Sequence, residues 1–210
     1  MTSKGDQDKQ DSEAAAFRQT PRQILRQERI AAREALSAAE HARLSAAVLD
    51  HLYRLLAIRP AGMIGFYWPI RAEIDCRPLM TLLLAQGWRT CLPVIVDRVQ
   101  ALEFHEWTPE SLMVPGAHGI STVGTGLKVL PDVLLLPVNA FDREGYRLGY
   151  GGGYFDRTLA TLTPRPYAVG VGFDLARVDS IGPHAHDRAL DAMVTESGIE
   201  RFPAPPDLKY

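Results

Sequence analysis

Apolar positions along the chain change their spacing several times, and each change marks an element. Thr20-Pro21 opens the first ordered stretch, a cap residue followed by proline at a first helical position, with helical spacing to about Leu36. Ser37-Ala38-Ala39-Glu40 is a capping-box pattern that predicts a second helix through about Ala57. GMIGFYWPI (62–70) is a continuous apolar run, predicted as a buried strand stopped by Pro69. Asp75 is expected to cap a helix over LMTLLLAQ, closed by Gly87. WRTCLPVIV (88–96) predicts a strand, and ALEFHEW (101–107) alternates as its antiparallel neighbour. Residues 108–131 are rich in Gly and Pro and predict an irregular excursion. DVLLLPV (132–138) is the most apolar strand and is placed at the centre. After a glycine loop and its helix come a strand at PYAVGVGF (166–173), a loop at 179–188 and a short last strand at AMVTES (192–197), with RFPAPPDLKY (201–210) as loop.

Strands alternating with helices predict an α/β, three-layer domain with a mainly parallel sheet, preceded by two N-terminal helices. Ligands in such sheets sit at the carboxyl ends of the strands, here Trp68-Pro69, Asn139 to Arg143 and Phe173-Asp174. One domain is expected over 19–202, with a polar, disordered tail at 1–18 and a C-terminal tail at 203–210. With a net charge of −2 and 23% charged residues, no global field draws nucleic acid or a membrane surface. No apolar run approaches the ~18 residues of a membrane span. Cys76 and Cys91 form no CxxC pair and read as buried free thiols, which points to the cytoplasm.

The run GYRLGYGGGYFDR (145–157) carries the most chemistry. Gly149, Gly151, Gly152 and Gly153 lie between a buried strand and a predicted helix, the arrangement that lets an anion approach backbone N–H groups. Arg147 adds a fork of charged donors, and Asp156 a carboxylate for a metal on the same phosphate. The structural alternative is a tight turn that packs helix on strand closely. Arg22, Arg26, Arg29 and Arg33 share one helical face, either a solvated stripe or an anion-binding one. Glu73 follows a strand end and is a candidate for binding a polar ligand, whereas Asp75 is most simply a cap. Asp142, Asp156 and Asp187 each suit a turn or cap, and beside a phosphate loop they suit Mg²⁺, which needs only one or two protein carboxylates. His184 and His186 lack a third zinc ligand nearby in sequence.

Taken in order, these residues resemble the 5-formyltetrahydrofolate cyclo-ligase family. GYRLGYGGGYFDR is similar to that family's RLGxGxGYYDR pattern, and AFD (140–142), HDRALD (186–191) and VTE (194–196) follow in sequence. Tyr67, Pro69 and Glu73 fit its Tyr-x-Pro-x-x-x-Glu pattern, Leu92-Pro93-Val94 its next strand, and Leu25-Arg26, Arg33 and Leu36-Ser37 its N-terminal pattern. The resemblance implies a Rossmann-like fold and an ATP- and Mg²⁺-dependent enzyme acting on a reduced folate, as a monomer or weak homodimer. It implies a phosphate loop of Arg147, Gly149, Gly151, Gly152 and Gly153, with Tyr154 reaching the transferring phosphate or the pterin and Arg147 and Tyr154 as the catalytic pair. Arg22 and Arg26 would contact ATP, Asp156 and Asp187 would hold magnesium, and Tyr67 and Glu73 would contact the folate. Trp68 and Trp107 are assigned to core packing rather than stacking. The chain departs from the pattern at Arg22 (lysine in the family), Phe155 (tyrosine), Gly152 (often basic), Leu102 (methionine) and GISTV (119–123, for GIxEP). Two other readings therefore stay open: a non-catalytic paralogue that binds folate or nucleotide, and a related enzyme acting on a sugar phosphate or acyl substrate.

Overall fold

Thr20 and Pro21 start the first helix as the pattern predicts. The Thr20 side chain accepts from the Gln23 N–H, the Gln23 side chain returns a bond to the Thr20 N–H at 2.7 Å, and α1 runs Pro21–Glu34. Ser37 caps α2 (Ala38–Ala57), accepting from the Glu40 N–H at 3.2 Å. Only half of the predicted box forms, because the Glu40 carboxylate turns to Arg43 instead. The computed structural model describes residues 19–203. The tail expected at 1–18 lies outside them, as does all of the expected 203–210 tail but Pro203.

Beyond α2 the order is β1 (Met63–Gly65), α3 (Arg77–Leu84), β2 (Arg89–Val94), β3 (Glu103–Trp107), β4 (Met113–Pro115), β5 (Ser121–Val123), β6 (Lys128–Val129), β7 (Val133–Pro137), β8 (Ala140–Phe141), β9 (Arg147–Leu148), α4 (Tyr154–Thr161), β10 (Tyr167–Val171), β11 (Ala192–Thr195) and β12 (Gly198–Arg201). Eight strands form one sheet in the order β12-β11-β10-β7-β1-β2-β3-β6. The strands from β11 to β2 run parallel, and β12, β3 and β6 are antiparallel additions at the two edges. The chain winds from β1 to β2 in one direction and from β7 through β10 to β11 in the other. The reversal lies between β1 and β7, where open α/β sheets form a crevice.

β7 shows why the centre of the sheet is so apolar. Val133 and Leu135 join the core under α2 and α3, with Val48, Leu52, Leu55 and Met80. Leu134 and Leu136 point the other way, into the core under α4 with Leu159, Ala168 and Met193. A strand covered on both faces has no use for polar alternation.

Four details differ from the sequence reading. The run 62–70 is strand only over Met63–Gly65; beyond it Arg71 and Ala72 take positive φ (49° and 56°), and the Tyr67 hydroxyl donates to the Ile74 carbonyl at 3.0 Å to close a loop. Asp75 does not sit at the cap position, which is Cys76; its carboxylate accepts from the Arg77 N–H and pairs with the Arg77 guanidinium. The excursion 108–131 contains the β4–β5 hairpin and β6. The last strand is β12 rather than β11, folded back on it after the turn Glu196-Ser197, with Gly198 at φ 142° opening the strand.

Candidate active site

A cavity of about 1040 Å³ opens at the carboxyl edge of the parallel strands. Arg22, Arg26, Tyr67, Glu73, Arg147, Gly149, Gly151, Gly152, Gly153, Tyr154, Asp156 and Asp187 all line it. The ends of β1, β2 and β7 supply the floor through Tyr67, Trp68, Val94 and Pro137. Phe173-Asp174 and Asn139 to Arg143, also expected at this edge, do not line it.

The glycine loop forms one wall. Gly153 is left-handed (φ 65°) and occupies the cap position of α4, so the first turn of that helix receives no side-chain acceptor from its cap. Anions bind at such helix starts. A Cβ on Gly152 would lie 2.7 Å from the Tyr154 ring, so a larger residue there requires that ring to move. Two guanidinium groups hold the loop at its ends: Arg26 Nε donates to the Gly149 carbonyl at 2.6 Å and Arg157 Nη1 to the Gly152 carbonyl at 2.9 Å. Arg147 lies beneath, its side chain 3% exposed, donating through Nη1 to Asp156 Oδ1 (3.1 Å) and to the Arg188 carbonyl (2.8 Å). Burial pulls its pKa down, while the charge of Asp156 opposes that. Among the described residues Arg147 thus donates only through Nη1, and it lines the cavity behind the loop.

The arginine stripe of α1 is neither solvated nor uniformly anion-facing. Arg29 Nη1 donates to the Leu175 carbonyl, and Arg33 donates to the carbonyls of Arg71 and Val138 and to Asn139 Oδ1. Arg22 lines the cavity but is paired with Asp187 and donates to the Gly182 carbonyl, so a contact with phosphate would compete with that ion pair. Among the described residues Arg26 donates only through Nε, and its Nη atoms lie 3.4 and 3.6 Å from the position of a Cβ on Gly151. Burial and the neighbouring Arg22 charge lower its pKa, a strain that an anion in the cavity relieves.

At the far end Glu73 is buried, with Oε2 accepting from the Ile70 N–H (2.9 Å) and Oε1 from the Tyr150 hydroxyl (2.9 Å). Burial raises its pKa, against the Ile70 N–H, Arg33 and Tyr150. Tyr67 lines the cavity, but its hydroxyl is spent on Ile74. Trp68, assigned to core packing, lines the cavity with Arg77 stacked 4.5 Å over its ring; Trp107 is in the core, edge-on to Phe66.

The acids divide by what they hold. Asp142 closes a turn, accepting from the N–H groups of Glu144, Tyr146 and Ile181. Asp156 Oδ1 takes Arg147 and the Arg188 N–H, while no hydrogen bond among the described residues engages Oδ2. Asp187 has both oxygens engaged, by Arg22 and the His184 N–H. Among the described residues no group of three or more His, Cys, Asp or Glu is placed to hold a metal by itself. A magnesium ion that arrives with phosphate needs fewer, and Asp156 Oδ2 fits it.

A family model described as the 5-formyltetrahydrofolate cyclo-ligase family matches residues 18–196. The chain belongs to that family. 5-Formyltetrahydrofolate cyclo-ligase of Haemophilus influenzae is 30% identical over 167 residues, covering 76% of this chain and 89% of that protein. The Escherichia coli K12 protein of the same name is 32% identical over 156 residues, covering 70% and 86%. The NMR structure of Aquifex aeolicus 5,10-methenyltetrahydrofolate synthetase matches with a TM-score of 0.77 at 29% identity, covering 91% of this chain and 97% of that one.

The departures from the cyclo-ligase pattern now have places. Arg22, at the lysine position, is tied to Asp187. Phe155 packs against the core under α4. The GISTV segment forms β5, where Thr122 lines the cavity and donates to the Pro93 carbonyl at 3.2 Å. Leu102 is buried, and its N–H donates to Thr158 Oγ1. Sequence reasoning missed Tyr150, His118 and Arg157. An aromatic inside a glycine run was the available signal for the first; His118 stands in a turn of positive φ (57°) and reveals itself only by its ring, 6.4 Å from that of Tyr154.

Proposed function

We propose that the chain converts 5-formyltetrahydrofolate to 5,10-methenyltetrahydrofolate, using ATP and releasing ADP and phosphate. The observation that carries this reading is one cavity that joins a phosphate-type glycine loop to a buried carboxylate. At about 1040 Å³ it is large for a single small molecule and suits two. The formyl oxygen attacks the γ-phosphorus of ATP, and ADP leaves. The carbon, now bearing a phosphate leaving group, is attacked by N10. N10 loses its proton, the C–O bond breaks, and the formyl oxygen departs in phosphate.

The residues mainly position groups and stabilise charge. The loop N–H groups and the free Nη atoms of Arg26 bind phosphate oxygens, with the buried Arg147 charge behind them. Glu73 accepts from N–H groups of the pterin end, and Trp68 gives it an apolar wall. Asp156 Oδ2 would hold magnesium, and Asp187 would join it on releasing Arg22; the ion would supply positive charge against the phosphates. The two buried free thiols accord with a reducing compartment, and we assign the chain to the cytoplasm.

Incubating the protein with ATP, Mg²⁺ and 5-formyltetrahydrofolate tests the reading. ATP-dependent appearance of the methenyl chromophore is expected. Binding of both ligands without turnover at any Mg²⁺ concentration replaces it with the binding-paralogue reading.

A further inference from the structure

Tyr150 is the one side chain in the run Gly149–Gly153, and it lines the cavity between the loop and Glu73. The residue is 40% exposed, yet its hydroxyl is held on two sides: it accepts from Arg33 Nη2 at 3.1 Å and donates to Glu73 Oε1 at 2.9 Å. Arg33 and Glu73 are both buried and belong to different segments, α1 and the loop after β1. The remaining bonds of Arg33, to Arg71, Val138 and Asn139, anchor this pair to the carboxyl ends of the strands. Glycine on either side leaves Tyr150 free to follow the loop backbone, and Gly151 already stands at φ 99°. A shift of the loop around a phosphate therefore moves the hydroxyl, and Glu73 Oε1 has no other protein donor among the described residues.

We propose that Tyr150 is a positioning residue that couples the two ends of the cavity, setting the Glu73 carboxylate according to where the glycine loop stands. A nucleotide on the loop then changes the affinity of the Glu73 end for its ligand, and by reciprocity that ligand changes the affinity of the loop for nucleotide. The identity of the two ligands rests on the function proposed above. The coupling itself does not.

Calorimetry with a non-hydrolysable ATP analogue tests it in four proteins: wild type, Tyr150→Phe, Glu73→Ala and the double variant. Among the described residues Glu73 touches the glycine loop only through the Tyr150 hydroxyl, so a carboxylate not coupled to the loop leaves the analogue's affinity unchanged. The expected result is a change of about fivefold or more on Glu73→Ala in the wild-type background, and none in the Tyr150→Phe background. Equal effects in the two backgrounds, or no effect in either, overturn the proposal. So does a Tyr150→Phe protein that melts many degrees lower, since the hydroxyl is then a structural tie. A second titration, of 5-formyltetrahydrofolate with and without the analogue, separates the two claims. Loss of the analogue's effect in Tyr150→Phe supports both, whereas a wild type that binds no 5-formyltetrahydrofolate while the four-protein cycle holds overturns the substrate assignment alone.

Discussion

Arg22 and Asp187, 165 positions apart, form a two-pronged ion pair: Nη1 to Oδ2 at 2.7 Å and Nη2 to Oδ1 at 3.1 Å. It fastens the start of α1 to the loop between β10 and β11. Burial alone would raise the pKa of Asp187, but the Arg22 hydrogen bonds, the His184 N–H and the Arg22 charge outweigh it and hold the carboxyl below its usual 3.8. A lowered folded-state pKa stabilises above the unfolded value, and that contribution is lost as pH falls through the folded one. Asp187→Asn should therefore lower the melting temperature at pH 7 by several degrees, for charge-assisted bonds of about 1.5–3 kcal/mol. The gap to wild type should close as pH drops below the usual carboxylate range. A gap that stays constant from pH 7 to strongly acid conditions assigns the loss to geometry rather than charge.

Arg26 and Arg29 differ by three positions on the same helix face and should differ in function. Arg26 keeps its Nη atoms toward the cavity, while Arg29 donates to the Leu175 carbonyl and lies outside it. Arg26→Ala should raise the apparent ATP constant by roughly tenfold to a hundredfold, the equivalent of about 1.5–3 kcal/mol. Arg29→Ala should leave that constant near wild type and lower the melting temperature instead. Steady-state kinetics beside thermal melts measure both, and equal shifts in the ATP constant would return the stripe to a general anion-attracting role.

The central strand and the glycine loop were legible because each has a physical demand with few sequence solutions. β7 must be apolar on both faces, and the loop must turn where Cβ atoms do not fit. The arginine face was legible in its spacing but not in its direction. Charged helix faces usually meet water; this one meets carbonyls at the strand ends, which have no distinguishing sequence. The same limit hid the contact of Tyr150 with Glu73, two residues 77 positions apart joined only by the fold. β12 was missed because Gly198-Ile199-Glu200-Arg201 is half-exposed and its pairing depends on one tight turn.

Cys76 and Cys91 are fully buried and unpaired with each other. Burial pushes the Cys76 thiol up to about 12 and raises that of Cys91 as well. A thiolate is the reactive form, so a thiol reagent at pH 8 should label neither residue in the native protein and both in denaturant. Labelling of one cysteine under native conditions would show that its segment opens locally.

Asp156 has one observed duty, to Arg147, and one proposed duty, to a metal, which a single substitution mixes. Oδ1 compensates the buried Arg147 charge, and Oδ2 is open for a metal. Removing one partner of a buried ion pair costs about 3–5 kcal/mol, so Asp156→Ala should melt many degrees lower and says little about magnesium. Asp156→Asn retains an acceptor for Arg147 and for the Arg188 N–H, so its loss of stability should be smaller. The metal duty then shows in the Mg²⁺ dependence. If Oδ2 holds the ion beside phosphate, Asp156→Asn should lose activity by orders of magnitude and recover part of it at high Mg²⁺, with the melting temperature unchanged by added metal alone. An Asn variant with wild-type activity and Mg²⁺ dependence would make Asp156 the partner of Arg147 only, and the ion would have to be held from the Asp187 side after release of Arg22.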